Sequence, residues 1–315
     1  MTASGTTLTI GTRGSQLALW QAGWARDAIL AGHPELVVNL HIIKTQGDKI
    51  LDVPLAQVGG KGLFVKEIET ALLSGKIDLA VHSMKDMPAD LPDGLCIGAI
   101  PEREMPWDAL ISRAGKTLPE LPPKARVGTS SLRRAAQLRH LRPDLVMVPL
   151  RGNLDTRLKK LETDSLDAII LAAAGLRRLG MADRITHMLE DAVMLPAVGQ
   201  GALCIEIRQD DPRVAALIHP LDHPPTRKAV LGERAFLKRL EGGCQVPIAG
   251  HGQILEDDTF SITGLVCDLE GRDWLRKTHS GPSGQSEAIG LALAESLLAM
   301  GAGEILERLN SNAAS

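Results

Sequence analysis

The chain has 315 residues, a formal net charge of −3, 44% hydrophobic and 23% charged residues, and only three Phe, four Trp and no Tyr. This length suits two or three domains of a globular protein; the charge offers no global field for a polyanion and the scarce aromatics offer no stacking platform, so nucleic acid is not an expected partner. Four cysteines without paired spacing exclude a disulfide framework and a zinc site, so no metal is expected. No apolar run reaches the length of a membrane span, and residues 1–9 lack the basic start and apolar core of a secretion signal; a cytoplasmic monomer without a membrane partner is expected.

The first two hundred residues alternate short apolar runs with helical patterns, the signature of βαβ units around a mainly parallel sheet. Strands are predicted over 8–11, 38–43, 79–82, 96–100, 109–112, 126–128, 146–150 and 168–171, and helices over 15–31, 63–74, 131–140, 153–162 and 226–240. The proline-containing stretches 100–108 and 193–201 read as two connections between α/β lobes, with 204–208 a strand returning to the first. After His223-Pro224-Pro225 the pattern becomes one helix, strands near 250–255, 261–267 and 274–278, and helices over 285–300 and 302–309. The domains expected are a first lobe from 1–101 and 202–219, a second from 107–195, and a smaller α+β domain from 224–315.

One device recurs: a strand ends, a loop of Gly, Ser or Thr follows with a basic residue in it, and a helix begins. It occurs at Gly11-Thr12-Arg13-Gly14-Ser15, at Gly59-Gly60-Lys61-Gly62, at Gly128-Thr129-Ser130-Ser131-Leu132-Arg133-Arg134, and at Arg151-Gly152-Asn153-Leu154-Asp155-Thr156-Arg157. Free N–H groups at a helix start favour an anion. Arg133 and Arg134 stand at the end of a helix that disfavours cations by about 0.3–1 kcal/mol each, and arginine can grip carboxylate or phosphate through two parallel bonds. In an open α/β sheet such loops emerge together at the carboxyl edge, where ligands bind. A ligand with several anionic groups is therefore expected. Nucleotide phosphate stays open as an alternative, although no loop has the Walker spacing.

Against these cations stands Val81-His82-Ser83-Met84-Lys85-Asp86-Met87-Pro88. An apolar strand delivers Ser83, Lys85 and Asp86 to the same edge; if the segment stays extended, Lys85 and Asp86 point to opposite sides. A carboxylate about 4 Å from a developing cation contributes roughly 4 kcal/mol at an effective dielectric near 20, or about three decades of rate. His82 reads as a packed strand residue. Cys96, Cys204 and Cys267 lie in apolar runs and read as small buried hydrophobes. Cys244 differs: it follows Gly242 and Gly243 in a softened loop that can present a thiol, and a thiol can form a durable thioether.

Nine segments in order, GTRGSQLALWQA, TQGD, VGGKGLFVKEIE, LAVHSMKDMP, VGTSSLRR, LRGNLDTRL, AIILAAAGLRRLG, LPAVGQGAL and LEGGCQVPIAG, resemble the hydroxymethylbilane synthase (porphobilinogen deaminase) family from about residue 8 to residue 309. The resemblance implies two hinged lobes like type II periplasmic binding proteins plus the α+β domain. It implies an enzyme of tetrapyrrole (haem and porphyrin) biosynthesis that expels ammonia from porphobilinogen, joins four of these pyrrole diacids head to tail, and releases linear hydroxymethylbilane by adding water. It further implies one dipyrromethane cofactor, held as a thioether on Cys244. Arg13, Ser15, Lys61, Phe64, Ser83, Arg178 and Gln200 would then bind substrate, with Lys61 and Phe64 on a covering loop. Lys85, Thr129, Ser130, Ser131, Arg133, Arg134, Arg151, Asn153 and Arg157 would hold the cofactor and growing chain, and Asp86 would bind pyrrole N–H groups and stabilise the azafulvenium formed as ammonia leaves. Two positions depart from the family pattern: Gln57 precedes the Val-Gly-Gly-Lys loop where lysine is usual, and Trp107 stands between Pro106 and Asp108 where a basic residue is common. Two rivals remain: a non-enzymatic anion receptor, which leaves Asp86 without a purpose, and a hydrolase using Cys244 with His251 as base.

Overall fold

The computed structural model describes residues 7–49, 62–240 and 246–314. Thirteen strands are present among them: β1 (Thr7–Thr12), β2 (Val37–Ile42), β3 (Leu79–Ser83), β4 (Leu95–Ala99), β5 (Asp108–Ser112), β6 (Arg126–Gly128), β7 (Val146–Val148), β8 (Ala168–Ala172), β9 (His187–Leu189), β10 (Leu203–Arg208), β11 (Ile248–Ile254), β12 (Thr259–Cys267) and β13 (Trp274–Pro282). By their contacts the residues form two compact units, one of 1–50, 60–103 and 202–227, the other of 51–59, 104–201 and 228–315.

The first unit holds a five-stranded sheet in the order β2-β1-β3-β10-β4. β1 runs parallel to β2 and β3, and β10 inserts antiparallel between β3 and β4. Thr7–Thr12 reads as a strand because its β-branched and apolar residues suit a pleated surface. Ser15 then starts the helix Gln16–Gly32 by accepting the Ala18 N–H at 3.3 Å. That helix lays Ala22, Ala25 and Ile29 on Leu8, Ile10, Leu79, Val81, Ile205 and Ile207, which form one apolar core. Burying each large side chain of this kind stabilises the fold by about 1.5–3 kcal/mol.

The second unit repeats the plan in its sheet β7-β6-β8-β5-β9, parallel at β6–β7 and β6–β8 and antiparallel at β5–β8 and β5–β9. Its central strands are covered on both sides, and the two-residue period sorts their side chains. Leu110, Val127 and Ile170 enter one core, whereas Ala109, Ile111, Ile169 and Leu171 enter another. The expectation of α/β lobes is met in both sheets.

The same unit carries the antiparallel sheet β11-β12-β13. Phe236, Phe260, Ile262, Leu293 and Leu297 fill the core between this sheet and its helices Pro224–Arg239 and Ser286–Ala299. Two glycines let those helices meet: a Cβ on Gly290 would lie 2.0 Å from the Gly232 carbonyl oxygen. The α+β part is as expected, although β11 begins earlier and β13 runs longer than the sequence pattern suggests. Ala173–Arg178, Pro212–Ile218 and β9 had no counterpart among the predicted elements; all are short and lack a readable period. Cys204 and Cys267 are fully buried, as expected, and Cys96 is half-buried.

Candidate active site

β3 ends at Ser83, and Met84–Asp86 forms a single 3-10 turn, so the condition of an extended segment, on which Lys85 and Asp86 would point to opposite sides, is not met. The Met84 N–H donates to the Ala202 carbonyl at 3.0 Å, and the Met87 N–H closes the turn on Met84. This turn leaves Asp86 exposed while Met84 packs inward. A cavity of ≈ 60 Å³ lies here, lined by Arg13, Ser15, Gln21, Phe64, His82, Ser83 and Asp86 among others. The structure thus gathers five expected residues, Arg13, Ser15, Phe64, Ser83 and Asp86, around one space. Its size is that of one or two waters, which suits one acidic arm of a ligand.

The lining is partly engaged already. Ser83 accepts a hydrogen bond from Gln21 Nε2 at 2.9 Å. Arg13 donates Nε to Asp48 Oδ1 at 3.1 Å, pairs with the same carboxylate through Nη2, and lies over Phe64 with Cζ 4.3 Å from the ring centroid. Burial alone would raise the Asp48 carboxyl, but the Arg13 pair and the Thr45 bonds outweigh it and hold it below the ordinary carboxylate range. Lys85 is half-buried on the turn. Lys61, Gln57 and Cys244 lie outside the described residues.

A cluster that sequence reading missed adjoins the cavity through His82. His82 Nε2 sits 3.1 Å from Glu206 Oε2, both side chains being buried. Burial, reinforced by the nearby charge of Glu206, pushes the Glu69 carboxyl up. Residues 82 and 206 are far apart in sequence, so the only available signal was a lone Glu inside the apolar LCIEIR strand.

In the second unit, Arg133 and Arg134 open the helix Leu132–Leu141, and both turn inward on Asp108. Arg133 Nη1 bonds Asp108 Oδ2 at 2.8 Å and the Leu195 carbonyl at 2.7 Å. Arg134 uses Nε on Asp108 Oδ1 at 2.9 Å and Nη1 on the Ile170 carbonyl at 3.1 Å. Gln200 adds Nε2 to Asp108 Oδ1 at 3.1 Å. Three expected ligand-binding residues are therefore brought together, but around a carboxylate of the chain itself. Burial opposes charge on Asp108, yet the two guanidinium groups hold its carboxyl far below the ordinary range. Burial also lowers Arg133 from its ordinary value, against the pull of Asp108.

The loops around this cluster are tied by small polar bonds. Ser131 caps the helix start, its N–H donating to Thr129 Oγ1 at 3.2 Å. Ser130 Oγ both donates to the Leu150 carbonyl and accepts the Leu150 N–H, each at 2.9 Å. Asn153 caps the helix Leu154–Thr163 from an exposed position without a side-chain bond to it, and Arg157 Nε donates to the Gly152 carbonyl at 2.8 Å. Arg178 Nη2 donates to the Gly201 carbonyl at 2.7 Å, and burial draws its pKa down to about 10. Arg151 differs from the rest: its Nη1 is buried without a partner among the described residues. The Trp107 indole N–H is likewise buried without an acceptor there. His251, the base of the hydrolase rival, has Nδ1 2.5 Å from Asp191 Oδ2.

Two family models account for the chain: "Porphobilinogen deaminase, dipyromethane cofactor binding domain" matches residues 8–216, and "Porphobilinogen deaminase, C-terminal domain" matches residues 227–299. The chain belongs to the porphobilinogen deaminase family. Curated porphobilinogen deaminases agree: that of Syntrophotalea carbinolica is 55% identical over 98% of this chain and 97% of its own length, and that of Geobacter metallireducens is 57% identical over 95% and 93%. Among solved structures, a TRAP periplasmic solute binding protein from Desulfovibrio salexigens aligns with 70% of this chain and 73% of its own at 10% identity and a TM-score of 0.44. A Salmonella typhimurium arginine-specific periplasmic binding protein aligns with 69% and 92% at 14% identity and 0.40; likeness at this level carries no argument. The chain is thus an enzyme of tetrapyrrole biosynthesis with a dipyrromethane cofactor-binding domain, as expected.

Dipyrromethane is a pair of pyrroles bearing acidic arms, and the donor set fits such a group. Arg151 offers a buried guanidinium N–H with no partner of its own among the described residues, and its loop is tied through Leu150 to Ser130, next to the Ser131-capped helix start and its N–H groups.

Proposed function

We propose that this enzyme deaminates porphobilinogen and condenses four molecules of it into hydroxymethylbilane, with Asp86 as the charge-stabilising carboxylate. The observation that carries this reading is the cavity that joins Asp86 to Arg13, Ser15 and Ser83. A cation and two hydroxyls suit one acid arm of the substrate, and the carboxylate suits the ring to which that arm is attached.

In this mechanism Arg13, Ser15, Ser83 and Lys85 bind and orient the substrate's carboxylates, with Lys61 and Phe64 closing over it. The aminomethyl group, protonated as an ammonium, leaves as ammonia with the C–N bonding pair, and the pyrrole is left positive. Asp86 stabilises that charge without bonding to the substrate's carbon, an electrostatic role set up before the reaction begins. The new carbon–carbon bond displaces a proton from the attacked pyrrole carbon, and the Asp86 carboxylate is the acceptor at hand. When bound, the dipyrromethane supplies the pyrrole carbon to which the first substrate is joined. Cys244 tethers it as a thioether. Arg151, Arg157, Asn153, Thr129, Ser130 and Ser131 hold its acid arms, while Arg133, Arg134 and Gln200 fix the helix start through Asp108. Arg178 lines the path of the lengthening chain.

The reading also takes the protein as a cytoplasmic monomer that engages neither membrane nor nucleic acid. What supports it is the small net charge, the scarcity of aromatics, and the fact that no single helix among the described residues is long and apolar enough to cross a membrane. Intact mass is the deciding experiment. The active protein should exceed its sequence mass by one dipyrromethane, and Cys244→Ser should abolish the increment; a fully active wild type of unmodified mass would reject the reading.

A further inference from the structure

The TQGD segment carries no role in the mechanism above, yet its aspartate pairs with Arg13, which lines the Asp86 cavity. A guanidinium has two hydrogen-bonding edges: a side-on edge of Nε with Nη2, and an end-on edge of Nη1 with Nη2. In Arg13 the side-on edge is taken by Asp48, through Nε at 3.1 Å and through Nη2. The flat face lies against Phe64. Two of the three ways of holding this side chain are therefore occupied by the protein. No Asp48 bond uses Nη1.

Asp48 is itself held firmly. Its Oδ2 accepts the Thr45 N–H at 3.2 Å and the Thr45 hydroxyl at 2.8 Å, and its own N–H donates to the Thr45 carbonyl at 3.1 Å. Thr45 is fully buried. The same turn seats Phe64. The Gly47 N–H donates to the Leu63 carbonyl at 2.9 Å, and a Cβ on Gly47 would lie 2.2 Å from the Phe64 ring, so only glycine admits the ring there. The Gln46 N–H donates to Glu67 Oε1 at 3.0 Å. The end of β1, the turn Gln46–Lys49 and the residues around Phe64 thus converge on one guanidinium that also lines the Asp86 cavity.

We propose that Asp48 is a positioning residue for substrate recognition: by fixing the side-on edge of Arg13, it presents the end-on edge to one carboxylate arm of porphobilinogen. This rests on the reading that Arg13 binds such an arm. Arginine has many rotamers, and ordering them at the moment of binding weakens affinity; a guanidinium ordered in advance avoids that loss. The negative charge of Asp48 opposes a second carboxylate nearby, so two effects compete. Orientation dominates, because Asp48 holds Arg13 side-on from a seat fixed by Thr45 and its bonds leave Nη1 to the ligand.

Asp48→Asn tests this. The Michaelis constant for porphobilinogen is expected to rise about tenfold while kcat stays within about threefold, the pattern of lost uniform binding. Equilibrium binding of a porphobilinogen analogue with methyl in place of aminomethyl should weaken by the same factor. The substrate is then compared with its two monoamides, one on each acid arm. The penalty should vanish for one monoamide and persist for the other, which a general folding defect would not produce. Thr45→Val, which removes only the hydroxyl bond, should raise KM in the same direction by about threefold and serves if Asp48→Asn folds poorly. Unchanged KM in both variants with an active wild type overturns this inference alone. Tighter binding in Asp48→Asn also overturns it, since Asp48 would then compete with substrate. A wild type that neither carries the cofactor mass nor consumes porphobilinogen overturns the function as well.

Discussion

At the residue scale the proposed mechanism rests on one exposed carboxylate, on a turn that the β3 strand and Met84 hold in place. Asp86→Asn preserves the shape and removes the charge. Turnover should fall by at least two decades, since a close charge is worth up to roughly 4 kcal/mol on the developing cation, while intact mass should still show the cofactor. Near-normal turnover would remove Asp86 from the mechanism. The local sequence made the position of this residue legible, because the Ser-Met-Lys-Asp stretch directly after an apolar strand emerges at the sheet edge. Asp48, Glu206 and Glu69 were not legible. Each acts through a partner distant in sequence, 35 residues away for Asp48 with Arg13 and 124 for Glu206 with His82. No spacing rule reports such contacts.

At the scale of elements, the helix Leu132–Leu141 explains an apparent conflict in the sequence. Two arginines in a first helical turn oppose the helix dipole, and the sequence reading took an external anion to be the compensation. The start of β5 supplies an internal one, Asp108, with no exposed surface. Removing one member of such a cluster leaves buried charges unpaired, so Asp108→Asn should destabilise the protein by about 3–5 kcal/mol in denaturant titrations near neutral pH. The sign with pH follows from the depressed carboxyl. The folded state binds that proton more weakly than the unfolded chain, so the stabilisation is present above the unfolded value of 3.8 and is lost as pH falls toward the folded one. The gap between wild type and variant should therefore be constant from pH 8 to about 5 and narrow in stronger acid; a gap independent of pH down to acid unfolding would contradict the pairing. Strand and helix identities were legible here from period and from the Gly-Thr-Ser-Ser loop that precedes the helix. The direction in which Arg133 and Arg134 turn was not, because it depends on a partner in another strand.

At the scale of the whole molecule, both five-stranded sheets use one strand order; the sequence showed the two lobes through βαβ patterns and the two proline-containing connections, but not the order of their strands. Gly201 lies at the second of these with φ +88°, and a Cβ there would come within 2.2 Å of the Glu104 carbonyl oxygen, which belongs to the first. The Glu104 N–H donates to the Gly201 carbonyl at 3.2 Å, so the outgoing and returning connections are stitched to each other. The position of β10 between β3 and β4 has a consequence for how the protein comes into being. As the ribosome releases the chain from its N-terminus, β1 to β4 emerge early but lack the strand that joins β3 to β4, and Ile205 and Ile207 are missing from their core. All five strands of the other α/β sheet lie between residues 108 and 189 and are complete before β10 appears. Loop closure over so long a separation is slow. Pulsed hydrogen exchange during refolding should protect the amides of β5 and β8 before those of β3 and β4; the reverse order would refute this. Of the two five-stranded sheets, the one begun first is the last to finish, and the carboxylate turn waits with it, because the Met84 N–H has no Ala202 carbonyl to meet until the second lobe has been made.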